Sequence, residues 1–152
     1  MEVAMCVDRV DSKDLPPVAM TDRDWRRLRR LVRCAAALYH PVSELLAREV
    51  GRATVCPVEE IPSDVVTMNS RVVFRTGRGD GVQSRFLVFP ERYTPNGYCV
   101  SVTSPLGAAL IGLRTGSSFH YRSLDGEPRC VFVQDVAYQP EAATRERILQ
   151  DA

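Results

Sequence analysis

Ser104-Pro105-Leu106-Gly107-Ala108-Ala109-Leu110-Ile111-Gly112-Leu113-Arg114-Thr115-Gly116 joins a helix-start signal, a short apolar helix and a glycine stop. Ser104 suits an N-cap and Pro105 the first helical position, where its missing N–H costs nothing. Gly112 and Gly116 permit the backbone reversals that end a helix and return the chain to a sheet. The apolar Ala109, Leu110, Ile111 and Leu113 anchor the element. The Ser104 to Gly107 turn is therefore expected on a rigid support, as a protein-binding loop requires if docking is to cost little conformational entropy.

On either side of this element the periodicity is that of strands. Arg71 to Thr76, Val82 to Phe89, Gly97 to Thr103, Ser117 to Arg122 and Arg129 to Tyr138 are the candidates. Turn signals at Gly77-Arg78-Gly79-Asp80-Gly81, Asn96-Gly97 and Asp125-Gly126 separate them. The pattern predicts a mostly antiparallel sheet with the short helix packed across one face.

Upstream the period changes to that of helices. Thr21 opens a helix, with Asp24 placed as in a capping box. Trp25, Leu28, Leu31, Val32, Ala35, Leu38 and Tyr39 line one face, while Arg23, Arg26, Arg29, Arg30 and Arg33 occupy the other. His40-Pro41 interrupts the pattern, and Pro41 to about Ala53 forms a second helix with Val42, Leu45, Leu46 and Val50 as its apolar stripe. The two fold into a short antiparallel hairpin closed around Tyr39, His40 and Pro41. The expected organisation is a flexible leader over 1–20, the hairpin over 21–55, a linker over 56–65 containing Pro57 and Pro62, the sheet domain over 66–143 and a tail over 144–152.

The 20 basic residues nearly balance the 19 acidic ones, so no global charge draws the chain to nucleic acid or anionic membrane. Met1 to Val10 carries Glu2, Asp8 and Arg9 and lacks a signal-peptide core, and no apolar run approaches membrane-spanning length, which predicts a cytoplasmic protein. Five cysteines, at 6, 34, 56, 99 and 130, have neither C-x-x-C nor metal-type spacing; they are expected as reduced thiols, with no metal site.

Three segments carry a family resemblance: Asp64-Val65-Val66-Thr67-Met68-Asn69-Ser70-Arg71-Val72, Pro105-Leu106-Gly107-Ala108-Ala109-Leu110 and Tyr138-Gln139-Pro140-Glu141-Ala142-Ala143. The Ser104 to Gly107 turn resembles a loop in the carboxy-terminal domain of the Gre transcript-cleavage factors. In their order, the three segments resemble the Gre-like family of regulators of nucleoside diphosphate kinase, over about residues 21–143. The resemblance implies an α+β fold, with the helical hairpin followed by a domain like that of FK506-binding proteins. It implies RNA polymerase as partner, with Ser104, Pro105, Leu106, Gly107, Asn69 and Ser70 at the contact.

Gre factors push a long coiled coil into the secondary channel of polymerase, where acidic tip residues hold a catalytic metal ion. Here the expected tip, Leu38-Tyr39-His40-Pro41-Val42-Ser43, has no carboxylate for a hard cation, and Glu44 is the only acid nearby. Helices of about 18 and 13 residues rise only about 27 and 20 Å. The expected activity is therefore non-enzymatic: occupation of a polymerase site in competition with Gre-type factors, without cleavage, catalytic residues or cofactor. An effect on nucleoside diphosphate kinase would be indirect.

Other readings compete. Arg26, Arg29, Arg30 and Arg33 could meet phosphates or an acidic protein surface, but no aromatics interleave with them to stack bases. Gly77 to Gly81 lacks the strand-to-helix context of a phosphate loop and predicts a hairpin turn. Glu59, Glu60 and Asp64 flank a proline-rich connector rather than forming a catalytic dyad. His120 alternates outward on its strand, and Trp25 plugs the junction between hairpin and sheet. A peptidyl-prolyl isomerase reading rests on fold alone, since Phe74, Phe86, Phe89, Phe119 and Phe132 fall in strands where core packing accounts for them.

Overall fold

The computed structural model describes residues 15–77 and 81–151. The chain runs β1 (Ala19–Thr21), α1 (Asp22–Ala37), α2 (Ser43–Arg52), β2 (Thr54–Cys56), β3 (Arg71–Thr76), β4 (Val82–Val88), β5 (Cys99–Ser101), α3 (Pro105–Leu110), β6 (Ser118–Arg122), β7 (Pro128–Tyr138) and α4 (Pro140–Asp151), with single 3-10 turns at Val58–Glu60 and Pro90–Arg92. It is the α+β arrangement expected: a helical hairpin, then a mostly antiparallel five-stranded sheet in the order β5-β4-β3-β7-β6. Val72 and Phe74 of β3, Leu87 of β4, Phe119 of β6 and Val131 and Val133 of β7 are buried on the face covered by α3.

The hairpin is not a separate body. Leu28 of α1 and Leu46 and Val50 of α2 lie in the same apolar cluster as the sheet and α3. The Trp25 indole N–H donates to the Val50 carbonyl at 3.2 Å, so this residue closes the base of the hairpin. Thr21 caps α1 by accepting the Asp24 N–H at 3.0 Å. Asp24 does not return the bond as a capping box would; its carboxylate reaches across to Met68.

Four local expectations change. Residues 15–20 are no free leader: Val18 and Met20 are buried, and β1 pairs in parallel with β2, Ala19 opposite Thr54. Arg52 fixes this segment by donating to the Pro16 carbonyl while its Nε binds the buried Glu49 at 2.8 Å. The 56–65 stretch buries Ile61 and Val65 rather than lying open as a connector. Residues 144–151 continue α4, whose start is set by Pro140 and by Gln139, which accepts the Ala142 N–H at 3.2 Å. And β5 runs parallel to β4, because Asn96-Gly97 lies in a crossover, where the Asn96 side chain accepts the Tyr98 N–H, rather than in a two-residue hairpin.

Asp125-Gly126 does form the expected β6–β7 turn, with Arg122 opposite Pro128 and Gly126 at φ 82°. The Gly77 to Gly81 loop falls largely outside the described residues, as do residues 1–14. Cys34, Cys56 and Cys99 are free thiols. Cys130 is disulfide-bonded, which corrects the expectation for that residue: an odd count excludes a complete framework, not a single bridge. Among the described residues no helix is long and apolar enough to cross a membrane.

Candidate functional site

Two loops singled out in the sequence converge on one end of β4. On one side Asn69 donates to the Leu87 carbonyl at 2.6 Å and Ser70 accepts the Leu87 N–H at 2.9 Å. On the other, Val102 donates to the Val88 carbonyl at 2.9 Å as the chain turns into α3. The site is thus assembled around the last two residues of a central strand.

The turn into α3 is held from within. The Ser104 hydroxyl accepts the Gly107 N–H at 3.0 Å and donates to the Ser101 carbonyl at 2.7 Å. Gly107 is required by space: a Cβ there would lie 1.9 Å from the Ser101 carbonyl oxygen. Ala108, Ala109 and Leu110 are buried, and Leu106 packs partly against the core. The side chains left for a partner are Pro105 and the outer part of Leu106, both half-buried, together with exposed Asn69 at φ 68°. Ser70 is different from the expectation: it is fully buried, its hydroxyl 2.8 Å from that of Thr67 and accepting the Thr67 N–H at 3.0 Å. It shapes the loop and presents nothing to a partner.

A buried polar cluster joins this loop to both helical ends of the chain. Asp24 Oδ2 accepts the Met68 N–H at 3.1 Å, and the Thr67 hydroxyl donates to Glu141 Oε1 at 2.5 Å. Arg23 pairs with Glu141 Oε2 at 3.1 Å. Gln139 donates to the carbonyls of Pro62 and Val65 at 2.7 and 2.8 Å. Burial, reinforced by the Glu141 charge, raises the Asp24 carboxyl to about 6 against the lowering influence of the Met68 N–H, Arg23 and Thr21. The first and third of the three sequence segments therefore serve largely to hold the hairpin, sheet and α4 together.

At the far end of the hairpin the chain reverses through a Schellman turn: His40 N–H bonds to the Ala35 carbonyl at 2.8 Å and Tyr39 N–H to that of Ala36 at 3.1 Å. Tyr39 takes the left-handed position at φ 54°, where glycine is usual. Leu38 and Tyr39 are 80% and 92% exposed, an apolar pair with no cover. His40 accepts the Val42 N–H at 3.2 Å, and Pro41 is exposed beside it.

Arg26, Arg29, Arg30 and Arg33 are all exposed on α1, Arg26 within 3.7 Å of Asp22 and Arg29 over the Trp25 ring at 5.1 Å. Sequence periodicity missed Arg27. Its guanidinium lies 3.8 Å over the Phe89 ring and pairs with Glu91, fastening α1 to the crossover after β4. The partners are 62 and 64 residues away, so no local signal marks the contact. Among the described residues no three His, Cys, Asp or Glu side chains group as a metal site.

A family profile described as "Transcription elongation factor, GreA/GreB, C-term" matches residues 61–138, the span that contains the converging loops. The chain is 41% identical over 128 residues to proteins named "Regulator of nucleoside diphosphate kinase" from Escherichia coli (strain K12) and Shigella flexneri, covering 84% of this chain and 94% of each relative. A solved structure titled "Prokaryotic transcription elongation factor GreA/GreB from Nitrosomonas europaea" superposes with a TM-score of 0.65 at 32% identity, over 80% of this chain and 99% of the other. The chain belongs to the regulator of nucleoside diphosphate kinase family, within the group that shares the GreA/GreB carboxy-terminal domain.

Proposed function

We propose that this protein is a non-enzymatic transcription regulator that binds RNA polymerase at or near the secondary channel and competes there with Gre-type factors without stimulating transcript cleavage. The observation that carries the reading is the hairpin tip. Its turn, Leu38 to Val42, offers an exposed apolar pair and no carboxylate, and the first acid is Glu44 in the opening turn of α2. Hard cations need several oxygen ligands, which this tip does not supply. The helices of 16 and 10 residues rise about 24 and 15 Å, so the finger is short.

The docking half of the reading rests on Pro105, Leu106 and Asn69 around the end of β4. All three sit on well-supported backbone, so an interface there loses little entropy on binding. The exposed arginines of α1 extend the same molecule toward an acidic protein surface. Any influence on nucleoside diphosphate kinase then follows from altered transcription in the cytoplasm rather than from contact with the kinase.

Co-purification with RNA polymerase tests the docking loop. Pro105→Asp keeps a residue acceptable in a first helical turn while placing a charge on the proposed contact. With circular dichroism unchanged, polymerase retention should fall about tenfold or more. Unchanged retention would remove this loop from the interface.

A further inference from the structure

The sheet face opposite the core holds a row that no periodicity in the sequence reveals. Phe86 on β4 is in register with Arg71 on β3, which is in register with Tyr138 on β7. Val72, next to Arg71, is fully buried, so by strand alternation Arg71 and Phe86 project from the opposite, open face. Phe86 is 39% and Tyr138 44% exposed, so both rings are open to solvent on this face. Strand spacing puts the outer members about 10 Å apart, with the cation between them.

A second cation continues the pattern. Arg75, two residues along β3, is in register with Val82 and the half-buried Phe132. The Nε atoms of both arginines are held by neutral partners, Ser84 at 2.8 Å and Gln134 at 3.0 Å, which orients the guanidiniums without neutralising them. The acidic residue on this part of the face is Asp135, opposite Val73.

We infer that this open face binds single-stranded nucleic acid, with bases stacking on Phe86 and Tyr138 and phosphates meeting Arg71 and Arg75. Alternation of aromatic faces with unpaired cations on an exposed sheet is the arrangement that takes splayed bases. Arg and aromatics also mark protein interfaces, where such cations are paired and desolvated; here Arg71 and Arg75 are exposed and held by neutral side chains, which leaves their charge for phosphate. The arginine face of α1 lacks the interleaved aromatics, so the two basic surfaces differ in kind. Phe86 and Arg71 directly adjoin Leu87 and Ser70 at the end of β4 proposed for polymerase, so oligonucleotide binding and polymerase retention are measured on the same variants to tell the two readings apart.

Fluorescence anisotropy of the full chain with labelled oligouridylate and oligothymidylate of about 12 nucleotides tests it. Saturable binding is expected, with a logarithmic salt slope near −1.4 for about two phosphates. Phe86→Leu and Tyr138→Leu keep apolar bulk but lose the stacking face, and each should weaken binding roughly five- to a hundredfold. Phe86→Trp should restore it, and Arg71→Gln should lower the slope by about 0.7. Preference for uridylate assigns the ligand as RNA, preference for thymidylate as single-stranded DNA. The inference is overturned if neither strand binds saturably, if the leucine variants bind as the parent does, or if they lose polymerase retention while oligonucleotide binding is unchanged.

Discussion

Asp24 in the first turn of α1 accepts the backbone N–H of Met68 at 3.1 Å, which ties the helical hairpin to the loop that leads into the central strand of the sheet. The carboxylate is 5% exposed and shares its surroundings with Glu141. A buried acid normally needs compensation, and here one backbone donor, Arg23 and the Thr21 hydroxyl offset only part of the cost of burial. The orientation of the finger is thus fixed by a group that would rather be neutral.

Stability should therefore depend on pH through this residue. Its carboxyl is raised from 3.8 to about 6 on folding, so the stabilisation is whole below the unfolded value and is lost as pH rises through about 6. That displacement corresponds to about 3 kcal/mol between the two limits. Asn at this position keeps an acceptor for Met68 and removes the titration. In urea unfolding, Asp24→Asn should gain about 2 kcal/mol relative to the parent between pH 4 and pH 7.5, since part of the change falls below pH 4; parallel pH profiles would contradict the assignment.

Gly107→Ala should be among the most damaging single-methyl additions in the chain. The new Cβ would sit 1.9 Å from the Ser101 carbonyl oxygen and 2.9 Å from the Val102 Cα, both backbone atoms that cannot turn aside. Overpacking of this kind costs about 3 kcal/mol or more, read as a lower urea midpoint. A change of less than about 0.5 kcal/mol would mean that the turn into α3 is looser than described.

Tyr39 separates stability from binding. At φ 54° it occupies the glycine position of a Schellman turn with its side chain 92% exposed, so it contributes strain and no packing. Tyr39→Gly should raise stability by up to about 1 kcal/mol, visible as a higher thermal midpoint. If the tip meets polymerase, the same variant should compete less well with a Gre factor. A variant less stable than the parent would contradict the account of the turn.

What could be read from sequence was what is encoded locally. The Ser104 cap, Pro105 at the first helical position, the Thr21 cap and the Asp125-Gly126 turn each depend on neighbours within a few residues. The features missed depend on distant partners. β1 forms because Thr54 donates to the Val18 carbonyl at 2.8 Å and Ala19 to that of Gly112 at 3.0 Å. α4 was hidden because its apolar Ile148 and Leu149 are adjacent and exposed rather than spaced along a core-facing stripe. Ser70 looked like a polar loop residue, yet its burial follows from Thr67 and, beyond it, Glu141. The row of Phe86, Arg71 and Tyr138 is set by cross-strand register, which no single segment contains.

The central claim is that the domain docks on polymerase while the acid-free finger leaves the catalytic metal unserved. Transcript cleavage by a stalled polymerase complex, measured with a fixed amount of Gre factor and rising amounts of this protein, tests it most directly. The account predicts that cleavage falls toward the factor-free rate as the protein is added, and that the protein alone adds none. Cleavage stimulated by the protein alone, or a Gre-dependent rate unmoved at saturating protein, would contradict it.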